Sequence, residues 1–538
     1  MEFNLADLWE CVADTIGDRE ALVNGDRRLT YADVDARTTR LAHALADRGI
    51  GTGDHVALYL YNSVEYLEGM IAAFKLGAVP INVNYRYVEA ELRYLLDDAD
   101  ARAVVFHGEF TPKLDAIAAD LPGLHTHVLV DDGSQEAATT IAPVEYEAAL
   151  AAAGPERDFP ARSADARYIL YTGGTTGMPK GVIWRHEDLL FGAMGGAGGG
   201  GAPIERPEEI AERCLQARSR CLPACPFMHG TAHWMAFSAL FGGGTVVIPV
   251  EHRFDATALW QLIAREQVNF LVVVGDAFAR PLVDAFDALQ ASGTPEVDAS
   301  SLRVLLSGGA ILSPALKQAL VERLPGVLVV DGYGASETGG QGQSVTVAGG
   351  DIPSAPRFRV NEQTAVLDDD LRPVAPGVVG RLARRGHIPL GYYKDDAKTA
   401  ATFPVVDGVR WSVPGDHAIV EPDGAITLLG RGSVSINTGG EKVYPEEVEA
   451  VLKGHPEVFD AVVVGVPDAR WGERVVAVVQ PRDGREPTLE ALQAHARLQL
   501  AAYKLPRDLV TVPAIERSPS GKPDYRWARS TAVARCAD

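Results

Sequence analysis

Only five cysteines occur in 538 residues, Cys11, Cys214, Cys221, Cys225 and Cys536. Cys221 and Cys225 lie four apart with no second pair, so they do not make a zinc ligand set, and the scatter excludes a disulfide framework. Reduced thiols in a cytoplasm are the expectation. No apolar run reaches the roughly 18 residues of a membrane-spanning helix. The first residues, Met1-Glu-Phe-Asn-Leu-Ala-Asp7, lack a basic stretch leading into an apolar one, so neither export nor anchoring is expected. Positive charge is also in short supply: 50 Lys and Arg stand against 72 Asp and Glu, a net charge of −22. Such a surface excludes nucleic acid as a partner and disfavours anionic membrane.

What the chain does have is apolar material, 47% of residues against 23% charged, enough to bury ordinary soluble cores. It is too long for one core, so two or three folding units are expected. Short β-rich runs alternate with helical patterns. His55–Tyr61, Val79–Val83 and Ala103–Phe106 read as strands, with helices over Val64–Lys75 and Glu89–Asp97 between them. The rhythm returns at Ala256–Gln267 (helix), Asn269–Val274 (strand), a helix from Ala277, and strand Leu302–Leu306. A further helix is opened by Ser313 as cap and Pro314 in its first turn, before strand Val327–Val330. This alternation predicts an α/β fold of parallel sheets with helices on both faces and ligands at the carboxyl ends of the strands. The glycine-rich stretch Gly195–Gly201 reads as a mobile surface loop.

After Gly430-Arg431 the pattern restarts in a smaller α+β unit: a helix over Glu446–Lys453, strands Ala461–Val466 and Val475–Gln480, and a helix over Thr488–Ala502. The expected domains are therefore 1–431 and 433–538.

The densest chemical signal is Tyr168-Ile-Leu-Tyr-Thr-Gly-Gly-Thr-Thr-Gly-Met-Pro-Lys-Gly181, an apolar strand entering a loop of glycines and hydroxyls that ends in a lysine. Glycines let backbone N–H groups converge, hydroxyls donate to phosphate oxygens, and the lysine adds mobile positive charge. It is not a P-loop, because Met178-Pro179 stand where the second glycine should precede Lys180. A second strand, Val329-Val-Asp-Gly-Tyr-Gly-Ala-Ser-Glu-Thr-Gly-Gly340, also enters a glycine-rich loop. There Tyr333 offers a face for a purine, Ser336 a hydroxyl for phosphate and Glu337 a hard carboxylate for Mg²⁺. Pro414-Gly-Asp416 presents a carboxylate suited to ribose hydroxyls. Gly430-Arg431 with Thr438-Gly-Gly-Glu-Lys-Val-Tyr-Pro-Glu-Glu-Val448, and Ser518-Pro-Ser-Gly-Lys-Pro-Asp-Tyr525 with its single lysine, complete the set.

In this order, the five segments resemble the adenylate-forming superfamily that includes acyl-CoA synthetases, peptide-synthetase adenylation domains and beetle luciferases. The likeness runs from about Arg28-Leu-Thr-Tyr31 to Tyr525. Over Tyr168–Leu190, Gly430–Val466 and Arg517–Trp527 the chain is most similar to actinobacterial acyl-CoA synthetases acting on bulky carboxylates such as steroid side-chain acids. The resemblance implies a large N-terminal domain of parallel-sheet α/β subdomains and a small mobile C-terminal domain. The activity implied is ATP-dependent ligation of a medium-chain, long-chain or steroid side-chain acid to coenzyme A through an acyl-AMP. The alternative is an adenylating enzyme that loads a carrier protein. ATP, Mg²⁺ and CoA are the small molecules implied, and the family leaves room for a homodimer.

Carried over residue by residue, the resemblance gives the ATP phosphates to Thr172, Thr175, Thr176 and Lys180, with Gly173, Gly174 and Gly177 shaping the loop. Tyr333 would stack on adenine, Ser336 contact the α-phosphate, Glu337 hold Mg²⁺, and Asp416 and Arg431 hold the ribose. Gly309, Ala310, Asp331, Gly332, Gly334, Gly439 and Gly440 join the nucleotide set. Lys522 would enter from the small domain to reach the carboxylate and the α-phosphate. Rotation of that domain between the two half-reactions would pivot near Ser433, where the family usually has aspartate or lysine. Ser336 replaces the usual threonine and keeps its hydroxyl.

Pro226-Phe-Met-His-Gly-Thr-Ala-His-Trp234 falls where the family lines its acyl pocket, which points to His229 as a gate. No aspartate stands there to pair with an amino group, so an amino-acid substrate is disfavoured. Gly275, Gly308, Gly309, Gly332, Gly339 and Gly340 remove side-chain volume near strand ends and predict a roomy apolar pocket.

Overall fold

The computed structural model describes residues 1–536 apart from 135–138, 173–177, 198–200, 217, 292–297, 354–355, 432–433, 439–440, 469–470 and 518–520, and for 431, 441 and 442 the backbone alone. The βαβ rhythm of the sequence is realised most plainly at its first repeat. The strand His55–Tyr59 is buried along its whole length. Helix Val64–Leu76 follows, capped by Ser63, whose side chain accepts from the N–H of Tyr66 at 3.2 Å, and closed by Gly77 at φ 72°. The next strand, Val79–Asn82, returns parallel to the first.

Among the described residues this unit lies in an eight-stranded sheet. Pairing is parallel through Arg167–Thr172, Val79–Asn82, His55–Tyr59, Ala101–His107, Thr126–Val130 and Val144–Glu145. A second sheet of thirteen described strands is parallel from Glu20–Asn24 to Leu328–Ala335. Beyond that it turns antiparallel, from Gly339–Thr346 to Thr364–Leu367. The expectation of parallel sheets therefore holds for the βα repeats and gives way past Ala335, where hairpins such as Leu328–Ala335 with Gly339–Thr346 and Asp416–Val420 with Ile426–Arg431 have turns too short for a crossover helix.

The C-terminal lobe is an α+β unit around the long hairpin Val458–Asp468 and Gly472–Pro481. Its valines alternate between two faces: Val463, Val475 and Val479 face one core, while Val462, Val464 and Val476 face another. Helices Pro445–Leu452 and Leu489–Ala496 cover the first face, and Ala528 and Ala532 of helix Tyr525–Cys536 cover the second. With two cores of its own, this lobe does not depend on the large lobe for burial.

Three expectations change. The helix expected over Thr488–Ala502 stops at Ala496, because Leu500 turns in to pack on the lobe's core and leaves Leu498 82% exposed. Ser313 occupies the cap position of helix Pro314–Arg323, but its hydroxyl makes no cap bond; the N–H groups of Leu316 and Lys317 go to its carbonyl instead. In the glycine-rich stretch, Gly196 and Ala197 are buried, so it is not wholly a surface loop; 198–200 lie outside the described residues.

Three histidines in the large lobe are buried in the neutral form. His107 and His186 each use Nδ1 to accept a backbone N–H, from Tyr61 and Leu5. His233 accepts from the Tyr168 hydroxyl on Nε2 and donates from Nδ1 to the Phe227 carbonyl, both at 2.6 Å. Burial pushes them down to about 4, 3 and 4 respectively. A histidine with a lowered folded pKa takes up its proton in the unfolded state first, so stability is retained above about pH 6.5 and lost as pH falls below it. At pH 5 each costs on the order of 2 kcal/mol. The thermal midpoint should thus be flat from pH 7 to 8 and fall steeply between pH 6.5 and 5. A midpoint unchanged at pH 5 would mean that these rings are not held neutral.

Candidate functional site

A cavity of about 730 Å³ opens where strand ends of the large lobe meet the C-terminal lobe. Thr172 ends one strand, Gly308 another, and Gly332 to Ser336 run on from a third, all on this wall. Lys522 of the small lobe faces them across the same space. The carboxyl-end location read from the alternation is therefore where the cavity lies.

On the phosphate side, Thr172 and Lys180 are register partners on antiparallel strands, Arg167–Thr172 and Lys180–Arg185. The segment between them therefore joins two antiparallel strands and not a strand and a helix as in a P-loop. Residues 173–177, with Gly173, Gly174, Thr175, Thr176 and Gly177, lie outside the described residues; Met178 and Pro179 line the cavity. The Lys180 ammonium pairs with Asp395 and is not on the cavity wall. Asp395 also caps helix Asp396–Thr402 by accepting from the N–H of Lys398 at 3.0 Å. Its carboxyl is held below the usual range, first by the hydrogen bond from Lys180.

On the opposite side, Tyr333, Gly334 and Ser336 line the cavity. Gly334 and Gly339 are required sterically: a Cβ on the first would strike the Gly339 carbonyl, and on the second the Gly192 carbonyl. The loop carbonyls are anchored, Ser336 by the Trp184 indole N–H at 3.1 Å and Glu337 by the Ser412 hydroxyl at 2.6 Å. The Glu337 carboxylate accepts from the Tyr392 hydroxyl at 2.9 Å. Among the described residues, no three His, Cys, Asp or Glu side chains gather as a metal site. Glu337, next to the lining residue Ser336 but not itself on the lining, offers a single hard carboxylate of the kind that Mg²⁺ takes together with waters and substrate oxygens.

Asp331, expected among the nucleotide contacts, turns its side chain away from the cavity. Strand alternation places Val330 and Gly332 on the cavity and turns Asp331 to the other face, where its carboxylate meets Lys317 at 2.6 Å, 3% exposed. Its side chain takes no part in this wall. Gly309 lines the cavity and Ala310, its neighbour, does not; of the expected pocket glycines Gly275 is also absent from the lining. Asp416 is buried and register-paired with Arg431 at the joined strand ends, behind the cavity wall. The Arg431 side chain, Gly439, Gly440 and Ser433 lie outside the described residues.

The acid side is apolar, with Met228, Trp234, Met235, Val274, Leu306 and Val330 on the wall. Two asparagines that the sequence did not single out fix the segment presenting His229. Asn62 bonds the Cys225 carbonyl and the Phe227 N–H, and Asn82 bonds the Met228 carbonyl and both backbone groups of Tyr171. An isolated Asn in a strand has no motif to betray it. His229 lines the cavity with Nε2 buried and without a hydrogen-bond partner among the described residues. Burial, and then the charge of Lys522, push it down to about 3, so it is neutral at physiological pH.

The chain is similar to known proteins along its whole length. A family model described as AMP-binding enzyme matches residues 9–393, and the AMP-binding enzyme C-terminal domain matches residues 447–522. A medium/long-chain-fatty-acid–CoA/3-oxocholest-4-en-26-oate–CoA ligase of Mycolicibacterium smegmatis is 47% identical over 542 residues, 100% of this chain and 98% of the relative. A 3-oxocholest-4-en-26-oate–CoA ligase of Rhodococcus rhodochrous is 46% identical over 547 residues, 100% and 97%. The crystal structure of ATP-bound MatB from Rhodopseudomonas palustris superposes with a TM-score of 0.82 at 26% identity, covering 99% of each chain. With both family models in order and both lobes meeting at one cavity, the chain belongs to the AMP-binding enzymes, the adenylate-forming family of acyl-CoA ligases.

Proposed function

We propose that this enzyme joins a medium-chain, long-chain or steroid side-chain carboxylic acid to coenzyme A at the expense of ATP, through an acyl-adenylate. The observation that carries this is one cavity that brings a group of apolar large-lobe side chains, Met228, Trp234, Met235 and Leu306, together with Tyr333 and Ser336 and with Lys522 of the small lobe. Its volume of about 730 Å³ suits a bulky acid together with part of a nucleotide.

In the first half-reaction the substrate carboxylate forms an O–P bond to the α-phosphorus, and the bond to the bridging oxygen breaks to release pyrophosphate. Two anions must approach, so the work is positioning and positive charge. Lys522 supplies charge at the carboxylate and α-phosphate and Ser336 a donor to the α-phosphate; the 172–177 loop serves the departing phosphates, and Lys180 does so once its ammonium exchanges Asp395 for phosphate. Tyr333 orients adenine, and Asp416 with Arg431 the ribose. Glu337 would hold Mg²⁺, which neutralises phosphate charge when bound. In the second half-reaction the CoA thiol gives up its proton, its sulfur bonds the acyl carbon, and AMP leaves with the electrons of the broken C–O bond.

One lysine over the phosphate and then a path for a thiol need two arrangements of the small lobe. The character of the seam supports rotation. It is polar, with Lys453 3.9 Å from Asp276, Arg482 3.9 Å from Asp284 and the Arg280 guanidinium 5.6 Å from the Phe459 ring. The Arg482–Asp284 pair, 38% and 49% exposed, exchanges for water at little net cost; Lys453 and Asp276 are buried, and rotation trades their mutual attraction for the hydration of both charges. The domain boundary at 431–433 belongs to the same reading. So does work in the cytoplasm; no helix among the described residues is long and apolar enough to cross a membrane.

A panel of acids from acetate to long-chain and sterol-derived, assayed for pyrophosphate release and CoA consumption, tests the proposal. The expected result is at least a hundredfold higher kcat/KM for acids of eight carbons or more than for acetate or propionate. Preference for the short acids would refute the large pocket, and adenylation without CoA consumption would favour a carrier-protein acceptor.

A further inference from the structure

Arg517 stands five residues before Lys522, and its guanidinium is fully committed. Nε and Nη2 donate to Oδ2 and Oδ1 of Asp460, both at 2.7 Å, and Nη1 donates to the Gly521 carbonyl at 2.7 Å. The backbone closes the same turn. Arg517 bridges to Pro523, and the N–H of Asp524 reaches the Glu516 carbonyl at 3.1 Å. Gly521 itself sits at φ 76°, a left-handed conformation that aims its carbonyl and tolerates no Cβ well. A Cβ there would also lie 3.4 Å from Val274 of the large lobe, so the turn is seated directly on the cavity wall.

The pair does not end at Asp460. Its Oδ1 lies 3.5 Å from the Lys453 ammonium, which lies 3.9 Å from Oδ2 of Asp276 in the large lobe. Asp276 is fixed in turn by accepting from the Ser313 N–H at 2.7 Å. The signs alternate along the row, and each side chain is at most 14% exposed. Removing one member of such a row leaves its neighbour a buried charge without its counter-charge.

We propose that Arg517 is a positioning residue for the adenylation step: held by Asp460, it fixes the Gly521 carbonyl and so the placement of Lys522. The inference rests on the role given to Lys522 above. A planar fork with two N–H groups on one carboxylate and a third on a carbonyl sets both distance and angle, whereas a lysine offers one point charge and cannot hold both partners. A misplacement of about 1 Å at a reacting group costs roughly a hundredfold in rate. The lobe's two apolar cores are built from aliphatic side chains and not from this ion pair, although Ile515 and Tyr525, which flank the turn, belong to or pack on the second.

The test measures the two half-reactions separately in the full-length enzyme: ATP–pyrophosphate exchange with dodecanoate, and CoA thioester formation from supplied dodecanoyl-adenylate. Arg517→Lys is expected to lower kcat for exchange by about 30-fold with the KM for ATP within threefold, and to leave thioester formation within twofold. In a Lys522→Ala background the same change should cost nothing further, since the residue it positions is gone. Asp460→Asn, which keeps shape and removes charge, should give the same split to a smaller degree. Equal losses in both half-reactions, or a loss that multiplies that of Lys522→Ala, would overturn the proposal. So would loss of the folded state in both Arg517→Lys and Asp460→Asn, because the pair would then be structural. If Lys522→Ala alone spares adenylation, the role of Lys522 fails; if it splits the half-reactions and Arg517→Lys does not, only the clamp fails.

Discussion

Lys522→Ala is expected to lower acyl-adenylate formation by about a thousandfold while leaving thioester formation from supplied acyl-adenylate within a few-fold of the parent enzyme. The size follows from what the lysine does. Charge gathers on the α-phosphate and the attacking carboxylate in a cavity from which much water is excluded, and one well-placed donor to such charge is worth roughly a hundred- to a thousandfold. A full positive charge belongs at the upper end. The asymmetry follows from where it sits: Lys522 is on the small lobe, facing the large-lobe wall in this arrangement of the lobes. On the proposed rotation the lysine leaves with that lobe, and the thiol step would proceed without it. Pyrophosphate exchange and direct thioester assays on one preparation measure both numbers. Equal losses would place the lysine in a structural role and remove the reason for rotation.

Glu337→Gln is expected to cut the first half-reaction by about a hundredfold at ordinary Mg²⁺ and to shift the Mg²⁺ titration upward, with the second half-reaction much less affected. The substitution keeps the shape of the side chain and an oxygen able to accept from the Tyr392 hydroxyl, so the loop tethered by Ser412 and Trp184 should stay in place. What it removes is one negative charge, and a hard cation such as Mg²⁺ binds a neutral amide oxygen more weakly than a carboxylate. A rate loss that added Mg²⁺ partly restores is the signature. An unchanged metal titration would take Glu337 out of the metal site.

The residues that the structure adds to the sequence reading share one trait: each acts through a partner far away in the chain. Asp395 pairs with Lys180, 215 residues before it, and Tyr392 with Glu337, 55 residues before it. Asn82 ties the segment of His229 from 146 positions away. No local pattern marks such residues, because a tyrosine or asparagine in a strand looks the same whether or not it meets a loop. Asp331 shows the converse. It lies in the middle of a strong local signal, Val329 to Gly340, yet the two-residue period of the strand turns it to Lys317 and off the cavity wall.

The chain's own order of residues settles much that is local or periodic: the βα alternation, the restart after Arg431, and the loops whose composition suits phosphate. These follow from dihedral preference and the spacing of apolar side chains, which act between near neighbours. Which face of a strand meets the cavity, how Asp276, Lys453, Asp460 and Arg517 line up across the seam, and that Lys522 stands opposite Tyr333 depend on packing two separately cored lobes against each other. That packing is made by charges and close approaches between segments far apart in the chain, such as Lys453 near Asp276 and Gly521 beside Val274, which no single stretch contains.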